Sequence, residues 1–139
     1  MRTVAIANQK GGTGKSATTH ALGAVLASEY QRRVLMVDID PQSSLTEACT
    51  SKDNSGASLA EVLGGATPGR LTLKKIILEL SGNLYLAPAD LALAATELGL
   101  VSRMGRENVL KKALSTVEDN FDIALIDCPP SLSLLTVNA

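Results

Sequence analysis

The stretch that decides the fold is Lys10-Gly11-Gly12-Thr13-Gly14-Lys15-Ser16. The short apolar run at residues 3–7 predicts a buried strand before it, and residues 17–30 predict a helix after it. A strand, a glycine-rich turn and a helix that opens at Gly-Lys-Ser form the arrangement of a phosphate-binding loop. In such a loop the backbone N–H groups and the helix N-terminus face the phosphates. Lys15 is then expected to reach the β and γ phosphates, and the Ser16 hydroxyl to bind Mg²⁺.

The loop departs from the usual phosphate-binding pattern. The pattern Gly-x-x-x-x-Gly-Lys-[Ser/Thr] requires glycine at position 9, where this chain has Gln9. A second lysine, Lys10, begins the loop instead. Two lysines supply more positive charge than the cradle for one triphosphate requires, so the additional lysine needs an explanation from the rest of the chain.

Composition narrows the class of protein. The chain has 139 residues, the length of one domain, and its 45% hydrophobic content is enough for a core of Val, Ile, Leu and Ala. A net charge of −1 indicates neither a strongly basic nucleic-acid binder nor a disordered acidic chain. Cys49 and Cys128 form no CxxC pair, which is typical of a reduced cytosolic compartment. We expect no signal peptide and no transmembrane segment.

Aspartates follow two further predicted strands. The apolar run at residues 34–37 predicts a strand buried on both faces, and Asp38 and Asp40 come directly after it. Residues 123–126 predict another buried strand, which Asp127 follows. Ligands of open α/β sheets lie outside the carboxyl ends of the strands, so we expect these carboxylates to face the same nucleotide as the loop. A turn with a helix-capping aspartate is the alternative for the first pair.

The rest of the chain predicts one more strand and several helices. The strand is expected at residues 84–88, where Pro88 stops it, which gives four strands in total. The first helix is expected to bury Ala17, Ala21, Leu22, Val25 and Leu26. Further helices are expected at residues 45–49, 59–63, 71–80, 91–101 and 105–117. Asp90 is the expected N-cap of the helix at 91–101, and the remainder of residues 43–58 is expected to be loop.

Strands that alternate with helices predict an α/β fold with a doubly wound, mostly parallel sheet. The last residues, 131–139, begin a helical pattern without a C-cap glycine or proline. Four strands make a small sheet for this fold. We therefore expect residues 1–139 to be a single P-loop domain that represents the N-terminal half of a longer fold.

Four segments together resemble the ParA/Soj/MinD family of deviant Walker A ATPases. They are Asn-Gln-Lys-Gly-Gly-Thr-Gly-Lys-Ser at 8–16, Val-Asp-Ile-Asp-Pro-Gln at 37–42, residues 84–90, and Asp-Cys-Pro-Pro-Ser-Leu at 127–132. The first two segments are closest to the ParA partition branch. The resemblance spans essentially the whole chain. It implies that the family's remaining strands, its adenine pocket and most of its DNA-binding surface lie outside these residues.

The resemblance also implies roles for individual residues. Lys10 matches the signature lysine, which crosses an ATP-sandwich dimer and contacts the partner's nucleotide. Lys15 matches the lysine that acts within its own site, and Asp40 matches the aspartate that positions the attacking water, so these three are the expected catalytic residues. The expected metal-binding residues are Ser16, Asp38 and Asp127. The expected nucleotide-binding residues are Lys10, Gly11, Gly12, Thr13, Gly14, Lys15, Ser16 and Ala17. Many family members have threonine where this chain has Ala17, so a hydroxyl contact to the α-phosphate is absent.

The function that the resemblance implies is that of a Mg²⁺-dependent ParA-type ATPase in chromosome or plasmid partition. ATP would drive homodimerisation and nonspecific DNA binding, and a ParB-like partner would stimulate hydrolysis in a cytoplasmic, nucleoid-associated protein. A MinD-like membrane-associated regulator is the main alternative. A further alternative is an Fe–S reductase that would bind its cluster through Cys128, but the chain has no second cysteine in a suitable position. A non-enzymatic alternative is that these residues alone do not hydrolyse ATP.

Overall fold

The structure is a computed structural model that describes residues 1–50, 56–65 and 71–139. The strands are β1 (Arg2–Ile6), β2 (Val34–Asp38), β3 (Leu78–Ser81), β4 (Leu84–Ala87) and β5 (Ile123–Asp127). The α-helices are α1 (Lys15–Ser28), α2 (Ser44–Cys49), α3 (Leu59–Gly64), α4 (Leu73–Ile76), α5 (Ala92–Leu100), α6 (Val109–Ser115) and α7 (Leu134–Asn138). A 3-10 turn at Arg106–Asn108 leads into α6. Part of the loop predicted within residues 43–58 lies outside the described residues.

The strands form one sheet in the order β1-β5-β2-β4-β3. β1, β5, β2 and β4 are parallel, and only β3 runs antiparallel to its neighbour. The predicted α/β fold with a doubly wound, mostly parallel sheet is therefore confirmed. At the carboxyl edge, Asp127 on β5 lies in register with Ile6 on β1 and with Asp38 on β2. This register places the glycine-rich loop, which follows β1, beside both aspartates.

The central strands β2 and β5 are buried because helices cover both faces of the sheet. Leu35 and Val37 point into a cluster that contains residues of α3, α5 and α6. Val34 and Met36 point the other way, towards α1 and α2. A strand covered on both faces needs no polar alternation, which explains the continuous apolar run at these positions.

Helix α1 does not bury the face that its apolar residues predicted. Thr19, Gly23 and Ala27 are buried instead, whereas Leu22 and Val25 are 39% and 47% exposed. A Cβ atom built on Gly23 would lie 2.9 Å from Met36 Sδ. The helix thus packs its small residues on the sheet, because a close approach leaves no space there for larger side chains.

The region predicted as one helix at residues 71–80 contains a short helix and a strand. α4 ends at Ile76, and β3 follows and pairs with β4 in an antiparallel hairpin. The expected total of four strands was therefore wrong, and the described chain has five. Gly82, with a φ of +53°, lies in the tight turn between the two strands. A turn at Gly82-Asn83 is a hairpin signal that the sequence contains.

The predicted N-cap of α5 was wrong by one residue, because α5 begins at Ala92 and its N-cap is Leu91, which makes no side-chain capping bond. The Asp90 carboxylate accepts a hydrogen bond from the Ala92 N–H at 2.9 Å, at the first helical residue. This bond satisfies one of the free donors at the helix N-terminus.

In the described ranges, none of the helices has both the length and the apolar character needed to cross a bilayer.

Candidate nucleotide-binding site

The glycine-rich loop forms one wall of an open cleft of about 390 Å³ at the carboxyl edge of the sheet. The cleft is lined by Gly11, Gly12, Thr13, Gly14, Lys15, Ser16 and Ala17 on one side and by Asp40, Gln42, Ser44 and Pro130 on the other. All the predicted nucleotide-binding residues except Lys10 thus line a single cleft. The loop leads into α1 at Lys15, so the positive end of the helix dipole faces this space.

Backbone geometry explains the glycines at two positions of the loop. Gly12 and Gly14 have φ values of +70° and +78°, in the left-handed region that disfavours side chains. Gly14 is also the N-cap of α1. Gly11 differs only in that its φ is not positive, because an added Cβ would meet no atom within 4 Å at any of the three glycines.

Lys10 lies at the start of the loop and is exposed. Its backbone N–H donates to Asn8 Oδ1 at 2.9 Å, and its carbonyl oxygen accepts from the Thr13 hydroxyl at 3.3 Å. These bonds hold the backbone at the mouth of the loop. The Lys10 side chain is not among the groups that line the cleft in the described part of the chain.

Asp40 is a buried residue that also lines the cleft. Its Oδ1 atom accepts a hydrogen bond from the Gln42 N–H at 2.9 Å, which fixes the carboxylate in a turn after β2. The backbone N–H of Asp40 donates to Asp38 Oδ1 at 3.1 Å. Asp40 is therefore oriented from both sides by local hydrogen bonds.

Asp127 is 1% exposed, and neither of its carboxylate oxygens has a hydrogen-bond partner in the described part of the chain. Burial raises the pKa of this carboxyl, and the charge of Asp40 acts in the same direction. The hydroxyls of Ser16 and Thr19 and the ammonium of Lys15 lie near enough to lower the pKa in part. A buried, unpartnered acceptor is costly unless a cation or donor reaches it.

Asp38 is also buried, but its oxygens are occupied. Oδ1 accepts from the Asp40 N–H, and Oδ2 accepts from the Thr46 N–H at 2.9 Å and from the Thr46 hydroxyl at 2.7 Å. Burial raises the pKa of Asp38 to about 6, although the bonds from Thr46 and Asp40 oppose the increase. The negative charge of Asp127 raises it further. The Asp38 carboxylate thus connects the backbone of Asp40 to Thr46 through hydrogen bonds.

The side chains present fit a magnesium ion better than a metal held by protein ligands alone. No group of three His, Cys, Asp or Glu side chains suited to a metal occurs among residues 1–50, 56–65 and 71–139. Mg²⁺ typically takes one or two carboxylates and completes its octahedron with waters and substrate phosphates. The free oxygens of Asp127 near the Ser16 hydroxyl match that requirement.

Sequence reasoning missed several polar residues of this region. Gln42 and Ser44 line the cleft, and Thr46 binds Asp38 from within α2. Thr19 is buried on α1, where its hydroxyl donates to the Lys15 carbonyl at 3.0 Å. No local sequence signal marks Thr46, because Ser44 and Glu47 in the same turn of α2 are polar as well.

Cys128 is a buried residue next to Asp127. Burial raises the pKa of its thiol to about 11, and the negative charge of Asp127 adds to the increase. The thiol is therefore protonated at neutral pH, which is the form that does not bind metals.

The fold and the cleft define a P-loop nucleotide-binding domain whose loop has a second lysine. A family model described as an AAA domain matches residues 1–139, and the chain therefore belongs to this AAA domain family, in its ParA/Soj group. It is 43% identical over 137 residues to the sporulation initiation inhibitor protein Soj of Bacillus subtilis, a match that covers 98% of this chain and 53% of Soj. It is 40% identical over 139 residues to the chromosome partitioning protein ParA of Myxococcus xanthus, covering 99% and 48%.

A solved structure shares the same fold. Cobyrinic acid a,c-diamide synthase from Mycobacterium smegmatis, with a bound ATP analog and magnesium, superposes with a TM-score of 0.90 and 41% identity. The match covers 99% of this chain and 55% of that one. The chain thus spans about half the length of the proteins with which it was compared.

Proposed function

We propose that the chain is the nucleotide-binding part of a Mg²⁺-dependent ParA-type partition ATPase. The observation that carries the proposal is that Lys15 and Asp40 line one cleft and that the buried, unpartnered Asp127 lies close enough to both for their charges to shift its pKa. One cation, one oriented carboxylate and one free buried carboxylate are the groups that phosphoryl transfer to water requires.

ATP and Mg²⁺ are the proposed cofactors. The loop N–H groups and Lys15 would hold the phosphates, while Ser16 and Asp127 would hold the metal, with Asp38 beside it. The metal would neutralise charge on the β- and γ-phosphate oxygens. The ATP analog and magnesium in the M. smegmatis structure support this assignment.

Asp40 is proposed to orient the attacking water. Its Oδ1 atom is used by the Gln42 N–H, whereas Oδ2 has no hydrogen bond among the described residues. A carboxylate fixed through one oxygen can hold a water with the other. Because Asp40 faces the loop across the cleft, that water would lie on the phosphate side.

Lys10 is proposed to act on the nucleotide of a second copy. Its side chain is exposed and lies outside the cleft lining, so it is free to reach across an interface. Such a lysine would complete the site only in an ATP-bound homodimer. We further propose that this dimer binds DNA nonspecifically, that a ParB-like protein stimulates hydrolysis, and that the protein acts at the nucleoid in the cytoplasm.

The test is size-exclusion chromatography of the full-length protein with ADP and with ATP, together with ATP hydrolysis. We expect ATP alone to convert the wild type to a dimer. Lys10→Ala should still bind ATP but remain monomeric. Asp40→Ala should dimerise and lose at least ~100-fold in kcat, because it removes the group that positions water. Lys111→Ala, at an exposed position of α6, is the matched lysine control.

Two outcomes would contradict the proposal. If the wild type stays monomeric in ATP, the proposed ATP-bound homodimer is wrong. If Asp40→Ala still hydrolyses ATP, the proposed role of that carboxylate is wrong. DNA binding measured against salt concentration provides a further check, because a dimer that contacts phosphates must lose affinity as salt rises.

A second candidate follows from the likeness to cobyrinic acid a,c-diamide synthase. In that case the same cleft would serve ATP-dependent synthesis of an amide, and ATP would be consumed only with an acid substrate. Turnover of ATP in the presence of DNA and absence of any acid substrate would favour the partition ATPase instead.

A further inference from the structure

Thr46 is a buried polar residue of α2 that joins three segments of the chain by hydrogen bonds. Its N–H and its hydroxyl both donate to Asp38 Oδ2, at 2.9 and 2.7 Å. The hydroxyl oxygen also accepts a hydrogen bond from the Ala89 N–H at 2.9 Å, across 43 residues of chain. One side chain thus connects the end of β2, the start of α2 and the loop after β4.

The connection continues from Asp38 to Asp40. Asp38 Oδ1 accepts from the Asp40 N–H at 3.1 Å, while Oδ2 is held by Thr46. The orientation of the Asp38 carboxylate therefore sets the direction of the Asp40 backbone N–H. Asp40 in turn lines the cleft, and Asp38 does not, so Asp38 and Thr46 act on the cleft through Asp40.

We propose that Thr46 is a positioning residue for Asp40 in ATP hydrolysis. The inference rests on the proposed function, in which Asp40 orients the attacking water. Thr46 does not line the cleft, so its effect has to pass through Asp38. Without the hydroxyl, Asp38 loses one of its three donors and the Ala89 N–H loses its acceptor, and the carboxylate is held only by the backbone N–H groups of Asp40 and Thr46.

The network also excludes a role limited to nucleotide binding. The loop from Gly11 to Ser16 makes none of these hydrogen bonds in the described part of the chain. A change at Thr46 should therefore alter the geometry of water attack more than the affinity for ATP. Misplacement of a reacting group by about 1 Å can cost ~100-fold in rate.

The test compares Thr46→Val, which keeps the shape but lacks the hydroxyl, with Thr46→Ser, which keeps the hydroxyl, in the full-length protein. Thr46→Val should lower kcat ~10- to 100-fold and change the KM for ATP less than about threefold. Thr46→Ser should restore kcat to within about threefold of the wild type, because the donor and acceptor remain. Thr96→Val is the matched control, since the half-buried Thr96 hydroxyl donates to the Ala60 carbonyl away from the cleft.

Hydrogen exchange of the Asp40 amide is a second measurement that does not depend on turnover. Thr46→Val should reduce its protection in the nucleotide-free protein, whereas Thr46→Ser and Thr96→Val should not. If the wild type fails to hydrolyse ATP, the proposed function is wrong, and this exchange still decides whether Thr46 positions Asp40. Thr46→Ala removes the same hydroxyl and replaces Thr46→Val if that variant does not fold.

The inference is overturned if a folded Thr46→Val protein keeps both the wild-type kcat and the wild-type protection of the Asp40 amide. It is also overturned if Thr46→Ser lowers kcat as much as Thr46→Val does. The same holds if Thr46→Val changes kcat and KM no more than the Thr96→Val control does. Those results would assign Thr46 to folding alone.

Discussion

The buried carboxyl of Asp38 should make the stability of the protein depend on pH in a defined direction. Its pKa in the folded state is about 6, compared with an ordinary value of 3.8. Between these two pH values the folded protein binds more protons than the unfolded chain, so stability falls as pH rises. A tenfold difference in proton affinity is worth about 1.4 kcal/mol, and the full loss across the window is therefore about 3 kcal/mol.

The perturbation that isolates this effect is Asp38→Asn, which cannot titrate. The free energy of unfolding is measured by urea denaturation without magnesium or nucleotide. The pH steps run from about 3.5 to about 7, a range that includes both pKa values of Asp38. The wild type should lose about 3 kcal/mol relative to Asp38→Asn between the low and high ends of that range, and change little above it. Asp119→Asn, on the exposed surface, controls for the removal of one carboxylate.

Equal pH dependence in the wild type and Asp38→Asn would refute the reasoning. A wild type that gains stability with rising pH relative to the variant would show that the bonds from Thr46 and Asp40 outweigh burial. Thr46→Val provides an internal check, because it removes the hydroxyl that opposes burial most strongly and should raise the pKa of Asp38 further.

The remaining predictions concern glycines whose surroundings differ. In α1, Gly23→Ala adds about 1 kcal/mol to the free energy of unfolding through helix propensity. The new Cβ lies 2.9 Å from Met36 Sδ, however, and such overpacking typically lowers that free energy by about 1–3 kcal/mol. In α5, Gly99→Ala meets open space and should stabilise by about 0.5–1 kcal/mol, so equal urea midpoints for the two variants would contradict the packing of α1. In the loop, Gly14→Ala at a φ of +78° should cost about 1–2 kcal/mol, whereas Gly11→Ala should change the free energy of unfolding by less than about 0.5 kcal/mol. A comparable loss in both loop variants, measured by the same denaturation, would show that the loop backbone is constrained differently.

The parts of the site that follow from sequence are those encoded by local order. A strand, the loop at residues 10–16 and a helix fix the position of the phosphate cradle. Asp38 and Asp127 end the apolar strands β2 and β5, and Asp40 follows two residues after Asp38. The sheet brings them together because parallel strands present their carboxyl ends on the same edge. Local pattern therefore predicted the glycine-rich side of the cleft and Asp40, but not Gln42 or Ser44, and the catalytic roles stay proposals.

The features that sequence did not predict depend on packing between distant segments. The hydrogen bond from the Ala89 N–H to Thr46 joins residues 43 positions apart, and no local pattern encodes it. The buried face of α1 is set by how closely the helix approaches Met36, so small residues replaced the expected apolar ones. A short apolar run such as residues 71–80 fits a helix or a strand equally well by periodicity alone.

The two outer strands of the sheet differ in how well they resist pairing with another chain. β3 has four residues, an irregular register with β4 and an exposed Glu79, which are features that block strand addition. β1 has five residues in unbroken register with β5, and among the described residues its other side pairs with no strand. Aggregation through backbone pairing in this part of the chain should therefore begin at β1, and the hairpin end of the sheet should be protected from it.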